Sequence, residues 1–159
     1  MAMQTLSIRR ADPSAPDIAA IIAAHLAHSA ATTPAASIHA MDVEQMAAQP
    51  DLLFWAIYDG DTALGCGALK PLGDGLVEVK SVHVLAAARG RGLARRMMEH
   101  LEAEARQMAY AAMVLETGSD RLTGFEAARA LYERLGYRSC GVLPGYAPDP
   151  LSAFLRRDL

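Results

Sequence analysis

The sequence predicts an α/β (α+β) chain built on a mixed, mainly antiparallel central sheet of about seven strands with flanking helices. Three observations carry this. Apolar residues alternate along Gln4–Arg10, and three further strand-like runs follow one another between short turn signals. The period then changes to that of a helix after Arg91. A buried strand-like run follows that helix, which makes a crossover unit and places the strand parallel to the one before the helix.

The elements follow in order. Leu6 and Ile8 share one face of the first strand, and Asp12, Pro13 and Ser14 break it. Pro16 and Asp17 open a helix whose Ile18, Ile21, Ile22 and Leu26 lie on one face. Pro34 makes Thr32–Ser37 a loop, and Asp42 caps a short helix through Ala48 with Met41 and Met46 inward. Leu52–Asp59, Ala63–Leu72 and Leu76–Leu85 form an antiparallel meander, turned at Asp59-Gly60-Asp61 and Gly73-Asp74-Gly75. Leu93, Met97, Leu101 and Met108, with Ala94, Met98 and Ala105, make the inward face of a helix to about Ala109. Ala111–Thr117 is the buried strand. A last helix begins at Thr123 or Gly124, carries Phe125, Ala128, Leu131, Tyr132 and Leu135 inward, and ends at Gly136. Tyr137–Leu143 and Leu151–Arg157 are expected as closing strands.

Composition narrows the function. The chain has 159 residues, which suits one domain spanning 1–159, and 52% of them are hydrophobic. A net charge of -3 weighs against nucleic acid as a partner. The two cysteines, Cys66 and Cys140, have no metal-ligand spacing, so no metal is expected and buried free thiols are preferred. No apolar run reaches the length of a membrane span, and the first residues lack the pattern of a signal peptide. The expectation is a cytoplasmic protein.

The chemistry-bearing segment is Arg89-Gly90-Arg91-Gly92-Leu93-Ala94, at the junction of a strand and a long helix. A helix start presents unpaired N–H groups and partial positive charge, and glycines there let a phosphate approach. Arg89, Arg91 and Arg95 add charge, so a pyrophosphate is the natural ligand. The Gly-Lys-Ser/Thr ending of a P-loop is missing, and the third glycine of the dinucleotide fingerprint is replaced by Arg95.

The spacing of Arg89, Gly92 and Ala94, preceded by Val82-His83-Val84, resembles the GNAT superfamily of N-acetyltransferases, in particular its small single-domain bacterial members. Ala130-Leu131-Tyr132-Glu133-Arg134-Leu135-Gly136-Tyr137 resembles a later segment of that family. Ala86 departs from it, since many members have proline there. The resemblance implies a GNAT-like acyl-CoA N-acyltransferase fold, with acetyl-CoA as co-substrate and a small-molecule amine or amino acid as acceptor. It implies that the pantetheine lies between splayed strands along Val82, His83 and Val84. It also implies a pyrophosphate on Arg89, Gly90, Arg91, Gly92, Leu93, Ala94 and Arg95. His83 alternates with Val82 and Val84, so its side chain is expected to point away from the thioester.

Tyr132 matches the family's general acid, although its spacing alone also fits a core aromatic. Glu78 is a candidate base or, equally, a salt-bridge partner of Lys80, and Glu116 is a second candidate. His39, Thr117 and Tyr146 are expected to face the acceptor. His25, His28 and His100 are read as helix-surface residues. Family members often dimerise, so a homodimer is a further expectation. Two alternatives stand beside the catalytic reading: an acyl-CoA-binding sensor without turnover, and an enzyme acting on protein N-termini or lysines.

Overall fold

The computed structural model describes residues 5–159. Gln4, the expected first residue of the first strand, lies outside them. Thirteen segments of regular backbone follow one another, of which seven are strands. β1 (Leu6–Arg10) leads to α1 (Pro16–Thr32) and α2 (Val43–Ala47). The meander is β2 (Leu53–Asp59), β3 (Thr62–Gly73) and β4 (Leu76–Val84). Then come α3 (Leu93–Gln107), β5 (Ala112–Gly118), α4 (Glu126–Arg134), β6 (Arg138–Ser139) and β7 (Ser152–Asp158). They form one sheet in the order β1-β2-β3-β4-β5-β7-β6. Among the described residues only β4 and β5 pair in parallel, as a crossover through α3 requires.

Local chemistry accounts for the boundaries. Asp42 accepts from the Gln45 amide at 2.7 Å while the Gln45 side chain accepts from the Asp42 amide at 2.9 Å, a capping box that starts α2. Gly73, Asp74 and Gly75 all have positive φ, which sets the β3–β4 hairpin. Gly136, with φ of 92°, follows α4 as expected of a C-terminal glycine.

The two faces of the sheet carry separate cores. On one, Trp55, Ile57, Leu69, Val77, Met113 and Leu115 pack against Leu93, Met97 and Leu101 of α3. On the other, Phe54, Ala56 and Ala68 pack against Ile18, Ile21 and Ile22 of α1 and against Met46 of α2. Gly67 permits close approach of α3: a Cβ there would lie 2.7 Å from Met97.

Three expectations are corrected. Met108 is 39% exposed rather than inward, because α3 ends at Gln107 and Ala109, with φ of 62°, turns the chain away. Tyr137–Leu143 pairs in register only at Arg138 and Ser139; Cys140 still donates its N–H to the Phe154 carbonyl at 2.9 Å, and the chain then leaves for the Gly141–Pro150 loop. The last helix begins at Glu126 after Phe125, and its inward face is only half-buried because it borders a cavity. Cys66 and Cys140 are both free, but only Cys66 is buried; Cys140 is half-buried where the chain enters the Gly141–Pro150 loop. No helix among the described residues is long and apolar enough to cross a membrane.

Candidate active site

The parallel ladder between β4 and β5 is short. It joins Leu76 to Ala112, Val77 to Met113 and Glu78 to Val114, and pairing goes no further. Beyond Glu78 the strands diverge, and a cavity of about 690 Å³ opens between them. A bulge sets what faces it. Between the Cys66–His83 and Ala68–Lys80 pairs, β4 has one residue more than β3, and Ser81 adopts a φ of 58°. The bulge resets the alternation. Val77 and Val79 face α3 before it, and Val82 and Val84 after it. His83 therefore points to the α1 side, away from Val82 and Val84, and lines the cavity from there. There its Nδ1 lies 3.3 Å from Nδ1 of His25.

One end of the cavity is the glycine-rich turn. Gly92 caps α3 with φ of 72°, Gly90 has φ of 81°, and a Cβ on either would meet nothing within 4 Å. That backbone favours glycine, and the space above it is open. The start of α3 has no side-chain cap and no acidic residue in its first turn, so its N–H groups stay available to an anion. Arg89, Gly90, Gly92, Leu93, Ala94 and Arg95 line the cavity. Arg91 does not. Its guanidinium turns to the β2–β3 hairpin and donates to Asp59 at 3.2 Å, because a partly buried carboxylate there offers an ion pair. Arg91 is thus corrected from a lining residue to a tether of the turn. Arg134 of α4 also lines the cavity and was not expected there.

The other end gathers Glu78, Lys80, Glu116, His39 and Tyr146. Glu78, Lys80 and Glu116 share the α1 face of the sheet, opposite Val77, Val79 and Leu115. Glu78 is 3% exposed and accepts hydrogen bonds from the Tyr146 hydroxyl and, at 3.3 Å, from Lys80. Lys80 also donates to the Tyr146 oxygen at 3.1 Å. The expected salt bridge thus exists, inside the pocket. Burial and the Glu78 carboxylate push the Tyr146 phenol well above its usual range. Glu116 accepts from Ser152 Oγ at 3.2 Å, and burial pushes its carboxyl up to about 7. His39 packs against Tyr146, with ring centroids 4.7 Å apart and planes tilted by 57°. Thr117 lines the cavity from the α4 face of the sheet, opposite the face of Glu78 and Glu116.

Tyr132 borders the cavity from α4, where burial and then Glu116 push its phenol up to about 12. A phenol held so high is protonated at neutral pH and can donate.

His25 and His28 are corrected from surface to cavity residues. His28 reaches the Gly124 carbonyl at 3.3 Å, and burial pushes His25 down to about 4. The signal was present in the sequence: His25 falls seven residues after Ile18, on the same helical stripe. His100 stands apart, edge-on to Trp55.

Residues 22–137 match the model of the acetyltransferase (GNAT) family. The chain belongs to the GNAT family. Its members among the relatives agree. The uncharacterized N-acetyltransferase YsnE of Bacillus subtilis is 34% identical over 97% of this chain and 100% of its own length. An IAA acetyltransferase of Azospirillum brasilense is 38% identical over 79% of this chain and 80% of that protein. A crystal structure from Klebsiella pneumoniae, of a protein classed with the acyl-CoA N-acyltransferases, superposes with a TM-score of 0.78. It is 30% identical and covers 97% of both chains. This GNAT chain is accordingly an acetyltransferase, and the features an acyl-CoA needs are present: an open glycine turn at a helix start, and a strand edge without a ladder partner past Glu78.

Proposed function

We propose that this GNAT protein moves an acetyl group from acetyl-CoA to a primary amine of a small molecule or amino acid, by direct attack of the amine. The observation that carries this reading is continuity. A single cavity runs from the Gly90–Gly92 turn, along the free edge of β4, to a protonated phenol and a carboxylate that titrates near neutrality.

Acetyl-CoA supplies an activated thioester. The backbone of Val82 and Val84 offers it strand-like hydrogen bonds, and an amide near Val84 polarises the carbonyl. The turn and Arg89 and Arg95 hold the pyrophosphate. Tyr132 donates its proton to the departing sulfur. The incoming amine is an ammonium in water, with a pKa near that of lysine, about 10.4. It must lose a proton before it attacks.

Of the two carboxylates, Glu116 suits that task. Glu78 is already held by Tyr146 and Lys80. Glu116 carries one neutral hydrogen bond, and its affinity for a proton matches the working pH. In this reading Glu78 fixes Lys80 and Tyr146 as the acceptor wall, with His39 beside them. The test is thiol release from acetyl-CoA across amino acids, polyamines, aminoglycosides and peptides. Turnover with a small amine supports the reading. Tight CoA binding with no turnover on any amine would replace it with a sensor.

A further inference from the structure

Each turnover must discharge one proton. An ammonium and a thioester give an amide, a thiol and H⁺. The nitrogen loses two protons; the sulfur leaves as a thiol, and the balance of one proton must reach bulk water. Once donor and acceptor fill the cavity, Glu116, whose side chain is 12% exposed, is enclosed. A base that cannot release its proton works once.

His39 lies on the outer side of that carboxylate. Its Nε2 is 4.0 Å from Oε2 of Glu116, while its side chain remains 31% exposed. That distance is too long for a direct hydrogen bond, and one water or a small rotation spans it. The ring is held in place. It packs at a tilt against Tyr146, which is itself bonded to Glu78. Its loop is pinned where Ser37 Oγ donates to Asp149, whose other carboxylate oxygen accepts from the Leu151 amide at 2.9 Å.

We propose that His39 carries the acceptor's proton from Glu116 to solvent. The step forms an N–H bond at Nε2 as the O–H bond of protonated Glu116 breaks, and Nδ1 or Nε2 then passes a proton to water. Neutral imidazole is regained and the carboxylate is ready again. No oxidant or further reactant enters. The inference rests on Glu116 being the base.

The electrostatic surroundings suit a carrier. Partial desolvation and then Lys80 of β4 hold His39 below its ordinary 6.5, while Asp149 of the loop and Glu78 of β4 act in the opposite direction. Glu116 of β5 sits at about 7. The lowered affinity of His39 makes it a poor resting place for the proton, so a proton taken from Glu116 passes on to water.

The experiment compares His39→Ala and Glu116→Gln in the full chain, with acetyl-CoA and the best amine from the thiol-release screen. The relay predicts that His39→Ala lowers kcat roughly tenfold, leaves the acetyl-CoA Kd unchanged, and regains turnover as free imidazole is added. His39→Asn, which keeps a polar side chain without a titrating ring, should be equally slow, and its thermal midpoint reports whether the loop still folds. Glu116→Gln at wild-type kcat would show that Glu116 is not the base, and the relay falls with it. A slow Glu116→Gln beside a fully active His39→Ala overturns the relay alone. So does a His39→Ala whose only defect is a raised acceptor KM that imidazole does not repair, the signature of a plain substrate contact.

Discussion

Glu78 on β4 and Val114 on β5 are the last partners of the parallel ladder, and the cavity begins where their pairing ends. Glu78 therefore has two functions in the fold. Its backbone closes the ladder, and its carboxylate organises Lys80 and Tyr146 inside the cavity. Tyr146→Phe leaves the buried Glu78 carboxylate and the Lys80 ammonium short of one shared partner, in a place where an unmet charge is costly. The expected result is an acceptor KM raised several-fold and an acetyl-CoA Kd unchanged, measured by steady-state kinetics and calorimetry. An unchanged acceptor KM would remove Tyr146 from the acceptor wall.

In the proposed reaction Tyr132→Phe deletes the proton donor and little else, since the ring still fills its place against Tyr137. Turnover should fall by about two orders of magnitude, the range of a lost general acid. Acetyl-CoA binding and the thermal midpoint should hold. Wild-type turnover in Tyr132→Phe would leave the phenol a packing residue.

Gly92→Val tests the turn. The space is open, so any cost comes from the backbone: a β-branched residue at a φ of 72° is strained by about 1–2 kcal/mol. If the turn relaxes toward negative φ, the N–H groups at the start of α3 move off the pyrophosphate. The acetyl-CoA Kd should then rise roughly tenfold, the equivalent of about 1.4 kcal/mol. Arg91→Ala provides a graded control. It removes the tether to Asp59 rather than a direct contact, so it should weaken binding less than Arg89→Ala does.

Much of this was legible because it lies in local pattern. The turn glycines at Gly73 and Gly75, the capping box at Asp42 and the helical stripe of Leu93, Met97 and Leu101 each announce their structure within a few residues. The open glycine turn at Gly90 and Gly92 and the Tyr132 segment were readable for the same reason. The bulge at Ser81 was not, because neither glycine nor proline marks it and its cause is registry with β3. Arg91 could not be assigned to Asp59, thirty-two residues away, without the hairpin that brings them together. His25 and His28 lay on the inward stripe of α1, yet polarity made them look like surface; they border a cavity, which is neither core nor solvent. The choice between Glu78 and Glu116 also needed tertiary contacts, since only those reveal which carboxylate is already occupied.

That choice yields a prediction in which activity and stability move in opposite directions. Burial raises the folded pKa of Glu116 from 4.5 to about 7. Between those values the unfolded chain ionises this group and the folded chain does not, so the unfolded state gains and stability falls as pH rises. Below 4.5 the penalty vanishes; above 7 it is complete, on the order of 3 kcal/mol at most. Glu116→Gln keeps an acceptor for Ser152 and escapes ionisation. Its thermal midpoint should equal wild type near pH 4 and exceed it at pH 8. Wild-type kcat/KM should climb through a limb near pH 7 as the base becomes available, and in Glu116→Gln that limb should disappear along with most of the turnover. A Glu78→Gln variant should retain the limb, because its carboxylate organises the acceptor wall and does not receive the proton. If the limb is lost in Glu78→Gln and kept in Glu116→Gln, the two roles are exchanged, and Lys80 and Tyr146 become the groups that tune the base.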